Sequence, residues 1–235
     1  MSKRAIILAG GKGLRLRPYT VVLPKPLMPI GEHPILEVVV RQLAYFGFDH
    51  ITMAVNHQAD IIRAFFGSGE KWGIQIDYVL EKDPLGTMGP LKLIKDLPDN
   101  FIVMNGDVLT DLHFGDLYNK HVASEEIFSI SAHQRVQQID YGVLRVKDNQ
   151  LTGFEEKPSL PYEVSMGVYC VNKKALDYIP EGPFGFDSLM HVLLAKKISV
   201  QTIPHAGHWL DIGRPDDYAR AIEEFDQNKN KFLHQ

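Results

Sequence analysis

The strongest constraint on the fold is an apolar run near the N-terminus that stops in clustered glycines: Ala5-Ile-Ile-Leu-Ala9, then Gly10, Gly11 and Gly13. A short, continuous apolar run ended by glycine is the pattern of a strand buried in a parallel sheet. Glycine allows positive φ and lets the backbone approach a ligand with no Cβ in the way. Four cations follow, Lys12, Arg15, Arg17 and Lys25. Backbone N–H groups gathered in a tight loop form a concavity for anions, and the cations deepen it. The stretch therefore reads as a triphosphate cradle at the carboxyl end of the first strand. An ordinary strand-to-loop turn with solvated Arg and Lys is the plainer alternative.

Two familiar glycine motifs do not fit. The dinucleotide fingerprint needs glycine at position 16, which is Leu16, and the tripeptide Gly-Lys-Ser/Thr of the other phosphate loop occurs nowhere in the chain.

Downstream, strand and helix patterns alternate. Pro34–Phe46 and Ala59–Phe66 carry helical spacing, and His50–Val55, Gln75–Leu80 and Phe101–Asn105 read as strands. A short helix is expected over Thr87–Lys95, with Pro90 in its first turn. That rhythm implies βαβ units, a mainly parallel sheet and ligands outside the carboxyl ends of its strands. After Asp107 the strands crowd together, at Ile127–Ala132, Gly142–Val146, Leu151–Glu156 and Val164–Val171. Helices are expected there only near Lys173–Tyr178 and Phe186–Lys196, before a strand near Val200–Ile203 and a last helix opened by Pro215.

Composition narrows the class. The 235 residues suit one large α/β domain, and 45% hydrophobic with 23% charged residues is ordinary for a globular protein. A net charge of -4 gives no nucleic-acid footprint. No run approaches the ~20 apolar residues of a membrane span, and the N-terminal apolar stretch is too short for a signal peptide. The lone Cys170 suits a reducing cytoplasm and reads as a buried, inert thiol. His57, His133, His205 and His208 show no close metal-ligand spacing except His205-x-x-His208, and with no cysteine partner a zinc site is not expected.

Two aspartates stand out. Asn105-Gly-Asp107 ends the fourth strand, where a carboxylate faces the ligand crevice, although the tripeptide is also good turn chemistry. Asp211 lies between apolar neighbours in Trp209-Leu-Asp-Ile-Gly213; a solvated strand-end residue is the alternative. Mg²⁺ is held by one or two carboxylates plus phosphate oxygens, and two aspartates opposite a triphosphate supply that set.

Leu8-Ala-Gly-Gly-Lys-Gly-Leu-Arg-Leu-Arg-Pro18, followed by Pro24-Lys-Pro26, resembles the opening of the sugar-1-phosphate nucleotidyltransferases, the nucleotide-sugar pyrophosphorylases. Leu14 departs from their usual threonine. Further family motifs recur in order to about Ala221, and Pro84-Leu-Gly-Thr-Met-Gly-Pro-Leu91 looks most like the mannose-1-phosphate guanylyltransferase branch. The resemblance implies one Rossmann-like α/β domain. Its mainly parallel sheet is flanked by helices, with a nucleotide half over about 1–110 and a β-rich sugar-phosphate half over about 111–235. It implies nucleotide contacts from Leu8, Ala9, Gly10, Gly11, Lys12, Gly13, Glu81, Gly86 and Thr87. Sugar-phosphate contacts would come from Asn105, Gly142, Glu156, Lys157 and Ser165. Arg15, Lys25 and Asp107 would be catalytic, and Asp107 with Asp211 would bind Mg²⁺. The partners implied are an NTP and a sugar 1-phosphate, with no nucleic acid or membrane; a homodimer stays open.

Glu81 occupies the position that reads the nucleobase edge in that family. A carboxylate offers acceptors only, so it matches N1–H and the exocyclic amine of guanine and repels the carbonyls of uracil. That favours GTP with a mannose-, glucosamine- or heptose-type acceptor, in supply of glycan precursors. Ser165-Met-Gly167 instead resembles an adenylyl branch acting on glucose 1-phosphate, so dTTP, UTP or ATP with that sugar stays an alternative. A glycosyltransferase and a non-catalytic nucleotide-sugar sensor are the more distant ones. The chain leaves no room after Asp211 for the hexapeptide β-helix many family members add, so none is expected.

Overall fold

A computed structural model describes residues 2–234. The apolar run forms β1 (Arg4–Leu8), and two short strands, β2 (Pro29–Ile30) and β3 (His33–Pro34), lead into α1 (Ile35–Tyr45). Then come β4 (His50–Val55), α2 (Ala59–Phe66), β5 (Gln75–Leu80), β6 (Asn100–Asn105), β7 (Val108–Thr110) and α3 (Phe114–Ser124). The second half contributes β8 (Phe128–Gln138), the hairpin β9 (Val143–Lys147) and β10 (Gln150–Glu155), and β11 (Ser159–Asn172). It closes with α4 (Phe186–Ala195), β12 (Gln201–His205), β13 (Trp209–Asp211) and α5 (Pro215–Leu233).

Seven strands share one sheet in the order β12-β8-β11-β6-β1-β4-β5. β6, β1, β4 and β5 run parallel; β11 alone runs antiparallel to its neighbours β6 and β8. The mainly parallel α/β sheet expected from the alternating pattern is therefore present; the second half adds β8, β11 and β12 to it, while β9 pairs with β10 and β13 with β7 in separate two-stranded sheets. Both faces are covered. Ile7, Met53 and Met104 pack with α1, α2 and α3, while Ile6, Val103 and Phe128 pack against Met88, Leu189 and Leu193. Cys170 lies in the sheet with no exposure, and burial pushes its thiol pKa up.

Two expectations need correction. The helix over Thr87–Lys95 is a 3-10 turn confined to Gly89–Leu93. Both Met88 and Gly89 give their N–H groups to the Phe184 carbonyl (3.0 Å each), so the segment starts tied to a distant loop rather than to its own preceding turn. Lys173–Tyr178 is likewise 3-10. The helix α3 was not expected from the sequence. Phe114, Leu117 and His121 do fall on one buried face, but the buried stripe is interrupted by polar residues and ends in a histidine, which hides the period.

A third apolar cluster matters most for function. Leu16, Met28, Leu210 and Ile212 are buried together against Ile35, Phe225 and Phe232 from α1 and α5. Burying each such side chain is worth about 1.5–3 kcal/mol. Each of the four anchors sits within three residues of a charged group: Arg15, Lys25 or Asp211. Hydrophobic burial beneath thus fixes polar placement above.

Candidate active site

The crevice opens where the strand order predicts, at the carboxyl ends of β1, β4, β5 and β6. A cavity of about 340 Å³ there is lined by Leu8, Gly10, Gly11, Asn56, Glu81, Pro84, Gly86, Thr87, Asn105 and Asp107. A larger one of about 520 Å³ lies by His133, Glu163 and His205. It has neither the glycine loop nor the paired aspartates, so the smaller cavity is the better candidate.

Glu81 is the floor of one end. It is 8% exposed, and its Oε2 accepts from the Leu85 N–H at 3.2 Å. Burial raises its carboxyl pKa, and the Leu85 hydrogen bond opposes the rise. Gly10 is glycine for a local reason: a Cβ there would lie 2.8 Å from Glu81 Oε1. Asn56, which the motifs did not single out, donates from Nδ2 to the Glu81 carbonyl at 2.8 Å and so holds the Glu81 backbone. Its place at the end of β4 matches that of Asn105 at the end of β6, and this strand-end rule was the available signal. Thr87 uses its hydroxyl to accept from Phe186 N–H at 2.7 Å, joining this wall to α4. Gly86 has φ +75°, and a Cβ there would meet the Phe184 carbonyl at 2.8 Å.

The charged groups converge at the other end. Asp211 faces Val108 in the β13–β7 ladder, and Ile212 N–H donates to the Asp107 carbonyl at 3.2 Å, so the two aspartates become neighbours through backbone pairing. Lys25 Nζ is paired with the Asp107 carboxylate. Arg15, in a one-turn helix capped by Gly13 at φ +60°, rests its guanidinium against Gly213, 3.4 Å from where a Cβ would stand. Asp211 is exposed as a residue, yet its carboxyl is partly desolvated in the crevice. That desolvation and the negative charge of Asp107 raise its pKa, against the pull of Lys25 and Arg15. Two crowded carboxylates that gain from nearby positive charge form a hard-oxygen donor set suited to Mg²⁺ with phosphate oxygens. Among the described residues, no three His, Cys, Asp or Glu side chains gather as a self-sufficient metal cage.

Of the other expected nucleotide contacts, Ala9 is buried and its N–H is spent on the Ala54 carbonyl (2.8 Å). Lys12 is exposed in the loop and does not line the cavity. The expected acceptor contacts divide. Asn105 lines the cavity and touches the β11 bulge at Gly167, where a Cβ would meet Asn105 Nδ2 at 2.6 Å. Ser165 sits in that bulge, its Oγ hydrogen-bonded to the Gly167 N–H (3.3 Å) and to Tyr169 OH (3.2 Å). Gly142, Glu156 and Lys157 lie outside the cavity at the base of the β9–β10 hairpin. There Gly142 and Glu156 pack side by side: a Cβ on the glycine would be 3.1 Å from Glu156 Oε2.

Comparison with known proteins gives the family. The chain belongs to the Nucleotidyl transferase family, which matches residues 4–228. It is 34% identical over 242 residues to a UTP–glucose-1-phosphate uridylyltransferase from Synechocystis, and 33% identical over 224 residues to a mannose-1-phosphate guanyltransferase from Yarrowia lipolytica. Those alignments cover 93% and 92% of this chain, which spans 62% of each relative's length. The solved structure of HddC from Yersinia pseudotuberculosis matches with a TM-score of 0.73 at 26% identity, covering 95% of this chain and 99% of that one. No described helix is long and apolar enough to cross a membrane.

Proposed function

We propose that this Nucleotidyl transferase family member joins a nucleoside triphosphate to a sugar 1-phosphate, releasing pyrophosphate. The observation that carries the reading is the convergence of Arg15, Lys25, Asp107 and Asp211 at one end of a crevice whose other end holds Glu81. A phosphate oxygen of the sugar 1-phosphate forms a bond to the α-phosphorus. The bond from that phosphorus to the bridging oxygen breaks, and its electron pair leaves with pyrophosphate. The nucleophile is already an anion, so no general base is required, and catalysis comes from positioning and charge neutralisation.

Gly10, Gly11 and Gly13 bring backbone close to the phosphates, and Arg15 and Lys25 neutralise the β- and γ-phosphates. Lys157 holds the acceptor phosphate, with Asn105, Gly142, Glu156 and Ser165 as sugar contacts. Asp107 and Asp211 would hold Mg²⁺, which when bound supplies Lewis-acid neutralisation of the transferred phosphate.

GTP is the favoured donor, because Glu81 is a buried acceptor with no cation paired to it among the described residues. Mannose-, glucosamine- and heptose-type sugars are the favoured acceptors. One specific finding supports the second reading, UTP or dTTP with glucose 1-phosphate: the similar Synechocystis protein is a UTP–glucose enzyme by name. The test is pyrophosphate release with Mg²⁺ across GTP, UTP, dTTP, ATP and CTP against mannose, glucose, glucosamine and heptose 1-phosphates. Release confined to GTP supports both the reaction and the role of Glu81. Release with another NTP keeps the reaction and removes the guanine assignment, and silence across the grid with intact nucleotide binding removes the reaction.

A further inference from the structure

Lys157 has φ +46°, in the left-handed region that non-glycine residues rarely occupy. It also precedes Pro158, and proline pushes its predecessor toward extended backbone. A residue held there against both preferences needs something to hold it. Gln138 is that something: its Nε2 donates to the Lys157 carbonyl at 2.6 Å, and its Oε1 accepts from Ser159 Oγ at 2.6 Å.

The register explains why a side chain is used. Gln138 and Ser159 are the last cross-strand partners of the β8–β11 ladder. Beyond them Pro158 has no N–H to offer and Lys157 has left the extended region. Ile139 N–H still reaches the Pro158 carbonyl at 3.0 Å, and the Gln138 amide bridges the rest of the gap, a donor before the proline and an acceptor after it. Both ends of one exposed amide are thus satisfied across one proline.

We infer that Gln138 is a positioning residue for the acceptor: its amide fixes the left-handed turn at Lys157 and so aims the Lys157 ammonium at the acceptor phosphate. The inference rests on the reading of Lys157 as the acceptor-phosphate cation. Gln138 touches neither reacting atom. It acts through the backbone of its neighbour, and its loss is expected in acceptor affinity rather than in nucleotide affinity.

The test compares Gln138→Ala and Gln138→Glu with the unaltered protein. Glutamate keeps the shape and an acceptor for Ser159 but has no donor for the Lys157 carbonyl. Both variants are expected to raise KM for mannose 1-phosphate or glucose 1-phosphate about tenfold, with KM for the NTP unchanged. In a Lys157→Ala background, Gln138→Ala is expected to add nothing further to the acceptor KM, because the two residues act as one unit. NMR couplings and shifts of the Lys157 backbone give a readout independent of turnover, and the positive φ is expected to be lost in Gln138→Glu. An unchanged acceptor KM in Gln138→Glu, full additivity with Lys157→Ala, or a retained positive φ overturns the inference. A normal acceptor KM in Lys157→Ala alone overturns the reading of Lys157, while the NMR result still judges the clamp.

Discussion

Lys25 donates to the carboxylate of Asp107 across 82 positions of sequence, and the two side chains are 10% and 20% exposed. Each is assigned a different partner in the proposed reaction: the lysine a triphosphate, the aspartate a metal ion. Before substrate arrives they neutralise each other, and this spares Asp107 and Asp211 from facing each other uncompensated. Lys25→Met removes both the phosphate cation and the competitor for Asp107. Turnover is expected to fall about 10²–10³-fold, the size of losing one charge-stabilising donor. Mn²⁺ binding without nucleotide, followed by electron paramagnetic resonance, is expected to tighten. Weakened Mn²⁺ binding would show that Lys25 organises the aspartates rather than competing for one of them.

Asp107→Asn tests the metal assignment directly. The amide keeps the shape but loses the charge that both Lys25 and a divalent cation require. Turnover is expected to vanish, because the amide removes one of the two carboxylates assigned to the metal ion. The fold is expected to survive, since Asp107 lies at a loop with its carboxylate open to the crevice and its carbonyl, not its side chain, accepts from Ile212. Pyrophosphate release and circular dichroism measured on one preparation check both halves. Near-normal turnover in a folded variant removes Asp107 from the metal site.

Much of the candidate crevice was legible in the chain because strand-end positions and charge types are local properties. Gly10, Gly11, Glu81, Asn105 and Asp107 all fall where a parallel sheet presents its ligand edge, and each lines the cavity. What could not be read depends on which distant partner a group chooses. The Lys25–Asp107 pair joins two residues whose sequence contexts point to different ligands. The N–H groups of Met88 and Gly89, which open the 3-10 turn at Gly89–Leu93, are both taken by Phe184, almost a hundred residues on. Gln138 sits in an exposed stretch, Val136-Gln-Gln138, with no motif around it, and acquires a role only when Ser159 comes opposite. The helix α3 was hidden for a related reason, since a buried histidine stands where its period asks for an apolar residue.

Glu81→Gln probes the nucleobase. Glutamine can accept from N3–H and donate to a carbonyl, the pattern uracil and thymine need, and it cannot accept from both donors of guanine. The ratio of kcat/KM for GTP over UTP is expected to fall by about 1–3 kcal/mol of discrimination. The same change carries a stability signature. Burial raises the folded-state pKa of Glu81, so the folded protein holds that proton more tightly than the unfolded chain, and stability falls as pH rises through the interval between them. Glutamine lacks the charge, so the variant is expected to melt higher than the parent at pH 7–8 and equally at pH 4. An unchanged GTP/UTP ratio with the expected melting behaviour would keep the burial and remove the base-reading role.

His121 gives a pH dependence unconnected with the site. It is fully buried, and its Nδ1 lies 2.7 Å from Ser129 Oγ. Ser129 spends its own hydrogen on Gln201 Oε1 at 3.0 Å, so its oxygen is left to accept, and the neutral ring must carry its proton on Nδ1. Nε2 is then a bare acceptor with no hydrogen-bond partner among the described residues. Desolvation lowers the His121 pKa to about 4 from an ordinary 6.5. Between those values the unfolded chain binds a proton that the folded protein refuses, so stability is complete above about pH 6.5 and is lost as pH falls toward 4. His121→Asn keeps a donor for Ser129 and removes the titration. Thermal melts from pH 7 to pH 4 are expected to show a shallower loss in the variant, with the parent's extra slope equal to about one proton. Parallel curves would mean that water reaches the Nε2 side of the ring and that the histidine protonates within the fold.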